Sequence, residues 1–224
     1  ELLQEHQKII SNLNLNYNNV GELLSAKVNE NNQKTFLICP GKDSEQFTYS
    51  EFMTVVNQTS KFLIKSGLKK NDRISLIFHN SSEFLILYFA GLFCGLTIVP
   101  INPDLSSREM KYIIEDSNSK FIFYNHTLES KIISIKNELN NISLVKTTTI
   151  KELISSVDNK IDFEQNEVSL YDTAVIIYTS GTTGNPKGVV LTHLNLLSDA
   201  MSISTWFKFN NETRCLCILP LFHN

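Results

Sequence analysis

The sequence predicts an α/β fold of doubly wound, mostly parallel sheets covered by helices on both faces. Two observations predict it. Short apolar runs recur without polar alternation, at residues 74–78, 98–101, 121–124 and 174–178. That is the pattern of strands buried on both faces. Between these runs lie stretches with helix-start signals and helical apolar spacing. Composition permits a substantial core. The chain has 224 residues, 42% hydrophobic and 10% aromatic, too apolar for a disordered tail. With 8 Gly, 5 Pro and 4 Cys, collagen-like, low-complexity and disulfide-scaffold classes are excluded. Twenty basic against 23 acidic residues leave a net charge of −3, which gives no reason to expect nucleic acid as a partner.

The elements follow in order. Thr48 and Glu51 have capping-box spacing, Phe52, Val55, Phe62 and Ser66 trace the following helical stripe, and Gly67 stands where a C-terminal cap belongs. Strand 74–78 comes next. Asn80 and Glu83 repeat the capping spacing before an almost continuously apolar run from 84 to 99, which Pro100 ends. That run is too short for a bilayer span and contains Gly91 and Gly95, so it reads as a buried helix plus a strand. Ser106 and Glu109 open a third helix, with Met110, Ile113 and Ile114 inward. Strand 121–124, helix 128–139 and strand 142–145 follow, then a polar, acidic stretch at 159–171. After strand 174–178 a further strand spans 188–191. Thr192 caps a helix running to about 207, where Trp206 and Phe207 take core spacing, and 214–219 reads as a last strand.

Cys215 and Cys217 would share one face of that strand and read as buried small hydrophobes; no cysteine pair has metal-ligand spacing. The chain begins without the basic start and short apolar core of a secretory signal, so a cytoplasmic setting is expected.

One stretch carries chemistry. Residues 179–188 (TSGTTGNPKG) place four hydroxyls, three glycines and Lys187 between two strands. Glycines let backbone N–H groups approach an anion, hydroxyls add donors, and lysine adds a mobile charge. A triphosphate suits such a loop. It is not a Walker A loop, since Pro186 precedes the lysine and Gly188 follows it. Nor is it a hydrolase elbow, because Tyr178 and Thr182 flank Ser180 where glycines are required.

Residues 178–188 (YTSGTTGNPKG) with Leu191, Thr192 and His193 resemble the signature loop of the adenylate-forming superfamily, which comprises acyl-CoA synthetases, luciferases and peptide-synthetase adenylation domains. Residues 47–51, 90–95, 99–103 and 219–223 (LPLFH) resemble further segments of that family, so the likeness runs from about Val20 onward. It implies that residues 1–224 are the N-terminal part of the AMP-binding domain, with the later half and the small domain bearing the main catalytic lysine absent from this chain. Such a piece alone would be inactive. Thr179, Ser180, Gly181, Thr182, Thr183, Gly184 and Lys187 would hold the ATP phosphates, Lys187 offsetting charge as pyrophosphate leaves, and His223 would line the acid site. His223 stands where amino-acid-activating members carry an Asp, which favours a fatty or aryl acid. The style of residues 102–109 is closest to fatty-acyl-CoA ligases. ATP, CoA and Mg²⁺ are implied, the Mg²⁺ carboxylate lying outside this chain. A carrier protein in place of CoA, or a non-catalytic nucleotide-binding module, are the alternatives. His193 reads as a helix-start residue, and His6, His79 and His126 match no site.

Overall fold

The computed structural model describes residues 16–40, 44–139, 142–147, 167–179 and 185–222. Helix α1 (Val20–Asn31) leads into a two-stranded antiparallel ribbon, β1 (Thr35–Cys39) and β2 (Glu45–Thr48), then α2 (Tyr49–Lys65). The main unit runs β3 (Arg73–Ile77), α3 (Ser82–Phe93), β4 (Thr97–Ile101), α4 (Ser107–Asp116) and β5 (Phe121–Asn125). A 3₁₀ turn (His126–Leu128), α5 (Glu129–Lys136), β6 (Ser143–Thr147), β7 (Thr173–Thr179), β8 (Lys187–Thr192) and α6 (His193–Trp206) complete it. Strand order is β6-β5-β3-β4-β7-β8, parallel except for the antiparallel β7–β8 pair.

The absence of alternation in the strands has a direct cause. Ile74, Leu76, Ile98 and Phe123 point into one core with α1, α2 and α3 residues such as Phe52, Leu63 and Leu87. Their sequence neighbours Ile77, Val99, Ile122 and Tyr124 point into the opposite core with Met110, Ile113 and Ile132. Both faces of the central strands β3, β4 and β5 are therefore dry, which is why their middle positions are apolar on both sides. Ser75 is the buried polar residue of β3, and its hydroxyl donates to Ser119 at 2.8 Å. On α3, a Cβ at Gly91 would lie 2.4 Å from Cδ1 of Ile98, so a larger residue there would have to displace the Ile98 side chain.

Capping boxes form at Thr48/Glu51 and Ser106/Glu109, and α2 ends on Gly67 at φ +90°. Elsewhere the structure corrects the sequence reading. Ser81, not Asn80, caps α3, its hydroxyl accepting the Phe84 N–H. The buried stripe of α2 runs Phe52, Val56, Thr59, Ser60 and Leu63, leaving Val55, Phe62 and Ser66 half-buried. Pro100 lies inside β4, beyond the single Ile98–Val175 pairing with β7, so its missing N–H costs little there. The expected helix 128–139 is a 3₁₀ turn and two turns of α-helix.

Larger departures occur at the end of the described chain. Residues 214–219 form no strand, and Cys215 and Cys217 are exposed rather than buried. Trp206 and Phe207 are 83% and 64% exposed, because α6 meets the core through its first turns, at His193, Leu194, Leu196 and Leu197. No described helix is long and apolar enough to cross a membrane.

Candidate functional site

Strands β7 and β8 form a hairpin whose tip carries the hydroxyl- and glycine-rich stretch. Thr179 and Lys187 face each other across the last rung. Because β7 runs parallel to β4 and β3, this tip stands at the carboxyl edge of the sheet, where open α/β folds bind ligands. Both side chains are exposed, and among the described residues no carboxylate lies within ion-pair distance of Lys187. Among the described residues its ammonium has no anionic partner. Ser180, Gly181, Thr182, Thr183, Gly184 and His223 lie outside the described residues.

One rung below, Tyr178 faces Gly188. A Cβ at Gly188 would sit 2.8 Å from Cγ2 of Ile176 and 3.1 Å from Cζ of Tyr178, so the tyrosine ring occupies the space a side chain would take. The Tyr178 hydroxyl donates to Oδ2 of Asp116 at 2.5 Å, tying the hairpin to the end of α4. Burial and the adjacent Asp116 carboxylate push the phenol pKa up, so it stays a donor.

The base of the hairpin is fixed by a second junction. Thr192 and Asn195 form a capping box at the start of α6. The His193 N–H donates to the Asp172 carbonyl at 3.2 Å, and the Leu194 N–H donates to the Leu170 carbonyl at 2.8 Å. The His193 ring is fully buried, and its Nδ1 accepts the Val20 N–H at 3.3 Å. Nδ1 being the acceptor, Nε2 carries the proton, and it has no partner among the described residues. Burial lowers the imidazole pKa to about 4; Asp172 opposes that shift and Lys70 adds to it. Lys70 and Asp172 form an ion pair at 2.8 Å. This burial fits the helix-start reading of His193.

Sequence reasoning missed Asp116 and Asn80. Nothing local marks Asp116, whose partner lies 62 residues away. Asn80 reads as a cap from sequence. With Ser81 in that role, its side chain instead holds residues 219–221 at the same sheet edge. Among the described residues no group of three or more His, Cys, Asp or Glu side chains is placed to hold a metal. Mg²⁺ is therefore given no place among these residues, and no step is derived through it.

A profile of the AMP-binding enzyme family matches residues 24–224. The chain is 31% identical over 209 residues to the long-chain-fatty-acid–CoA ligase FadD13 of Mycobacterium tuberculosis, covering 92% of this chain and 41% of the relative. It is 30% identical over 204 residues to a crotonobetaine/carnitine–CoA ligase of Salmonella arizonae, covering 85% of this chain and 39% of that one. Among solved structures, an inhibitor-bound N-terminal domain of FACL13 from Mycobacterium tuberculosis matches with a TM-score of 0.80 at 29% identity, over 92% of this chain and 52% of that one. The chain thus spans about two fifths of the length of the curated relatives it matches.

Proposed function

This chain belongs to the AMP-binding enzyme family, and from that premise we propose that the intact protein activates a carboxylic acid, a fatty acid first, with ATP and passes the acyl group to CoA. The observation that carries the reading is the pairing of exposed Lys187 with Thr179 at the carboxyl edge of the sheet, at the mouth of the hydroxyl- and glycine-rich loop. A carboxylate oxygen of the substrate attacks the α-phosphorus of ATP, and pyrophosphate leaves with the bonding electrons. The CoA thiolate then attacks the acyl-adenylate carbonyl and AMP departs. The chain's part in the first step is to orient the phosphates and offset charge. Thr179 and Lys187 do this together with Ser180, Gly181, Thr182, Thr183 and Gly184, whose roles rest on the family likeness, as does His223 beside the substrate carboxylate.

The names of the relatives favour CoA over a carrier protein as acceptor, and FadD13 favours a fatty acid. Residues 1–224 are, on this reading, the first part of a larger adenylation domain, which the 41% and 39% coverage of the relatives supports.

ATP–pyrophosphate exchange on the full-length protein, with fatty, aryl and amino acids, tests the proposal. Exchange driven by a fatty acid supports it; exchange with amino acids alone, or with none, overturns it. Lys187→Ala should slow pyrophosphate release roughly 10- to 100-fold, since a charge-assisted phosphate contact contributes about 1.5–3 kcal/mol. Unchanged kinetics would remove Lys187 from its role.

A further inference from the structure

Asn80 lies just beyond β3, next to the Ser81 cap of α3. Its side chain bridges two backbone groups far along the sequence. Nδ2 donates to the Leu219 carbonyl at 2.8 Å, and the Leu221 N–H donates to Oδ1 at 2.7 Å. A planar amide used this way imitates one rung of a strand ladder, offering one donor and one acceptor. The two groups it engages flank Pro220, which has no N–H to contribute. Leu221 and Phe222 then pack half-buried against the core that contains Leu76, Phe78 and Phe123.

The place in the fold gives this contact its meaning. From β3 the chain passes to β4 on one side, whereas from β5 it passes to β6 on the other, and β3 and β5 are neighbours. Their carboxyl ends therefore flank a topological switch point, where the diverging connections leave a crevice for ligands. Asn80 stands in the loop leaving β3 at that edge, and Lys187 and Thr179 stand at the same edge. The segment it holds leads directly to His223. Among the described residues, 207–219 are otherwise tied to the rest of the chain by Lys34, which pairs with Glu212 and donates to the Asn211 carbonyl, while Leu216, Ile218 and Leu219 are 84%, 76% and 73% exposed. Among the described residues, the Asn80 bridge ties 219–221, next to the residue assigned to the acid, to the carboxyl edge of the sheet.

We propose that Asn80 is a positioning residue for the carboxylic acid. It fixes the backbone at Leu219 and Leu221, and so sets where Leu221 and Phe222 stand against the substrate. The inference rests on the function proposed above. It separates Asn80 from Lys187: one acts on the acid, the other on the phosphates.

The test is steady-state ATP–pyrophosphate exchange on the full-length protein carrying Asn80→Ala or Asn80→Asp, with melting curves in parallel. Asp keeps the acceptor but sets an oxygen against the Leu219 carbonyl, so both variants should behave alike. The expected result is a rise of about tenfold in KM for the fatty acid, with KM for ATP within twofold of wild type, because the lost hydrogen bonds serve binding of the acid alone. Amide exchange at Leu221 should quicken in the same variants. A folded variant with unchanged acid KM, or with acid and ATP KM raised together, overturns the assignment. Loss of the fold in both variants makes Asn80 a purely structural residue and also overturns it. A wild-type protein without exchange on any acid overturns the proposed function, and this inference with it; an active wild type beside an unaltered Asn80→Ala overturns this inference alone.

Discussion

The block β3–β6 and the β7–β8 hairpin use the same sheet in opposite ways. In the block, every strand is parallel and the sheet is covered on both faces, so Ile74, Leu76, Ile98, Val99, Ile122 and Phe123 are all fully buried. In the hairpin, β8 returns antiparallel at the sheet edge, and Val189 and Val190 are 44% and 56% exposed. The block holds the molecule together, whereas the hairpin leaves Thr179 and Lys187 exposed at its tip, where we propose that they meet the ATP phosphates. Packing and anion binding make contrary demands: the first excludes water, and the second needs donors that reach it.

The sharpest way to break the comparison is Phe123→Ala. Phe123 is fully buried in β5, its ring stacked on Phe121 with centroids 6.1 Å apart and edge-on to Phe62 at 6.5 Å. Removing it should cost about 3–5 kcal/mol in denaturant unfolding. A loss below 1 kcal/mol would show the block to be looser than its burial implies.

Acid offers a probe of the hairpin's base. The His193 pKa of about 4 lies below the ordinary value of 6.5, so the unfolded chain takes up a proton in that interval and the folded chain does not. Stability is full above pH 6.5 and falls as pH drops toward 4, by up to about 3 kcal/mol. Burial would raise the Asp172 carboxyl, but bonds from Lys70 and the Ser169 N–H hold it below its ordinary value, so it stays charged across this interval. His193→Asn can keep an acceptor for the Val20 N–H and has no imidazole to titrate. Its unfolding free energy should therefore lose this component of the slope between pH 6.5 and 4; an unchanged slope would assign the effect elsewhere.

How much of this was legible depended on whether the cause was local. Strands buried on both faces announce themselves through unbroken apolar runs, and the caps at Thr48 and Ser106 lie three residues from their partners. The hydroxyl- and glycine-rich string was legible for the same reason. The antiparallel return of β8 could have been read too. Residues 180–186 are too few for the crossover of about a dozen residues that a parallel partner requires. Other features depend on partners far away in sequence. Tyr178 reaches Asp116 across 62 residues and Asn80 reaches Leu221 across 141, and no periodicity signals such pairs. The apolar run at 214–219 misled because apolar character alone does not make a strand; among the described residues it pairs with neither open edge of the sheet, β6 or β8.

The smallest expected effect tests that last region. Trp206 is 83% exposed at the end of α6, and the Phe207 and Phe209 rings stack on each other 5.7 Å apart rather than on the core. An exposed side chain has little burial to lose. Trp206→Ser should therefore change the unfolding free energy of this chain by less than about 0.5 kcal/mol, against several for Phe123→Ala. The two substitutions remove aromatic rings of similar bulk, so chemistry alone does not separate them; only the surroundings do. A loss above about 1 kcal/mol at Trp206 would mean that its ring is covered in solution, and the division between a sealed block and an open edge would have to be redrawn to place α6 on the sealed side.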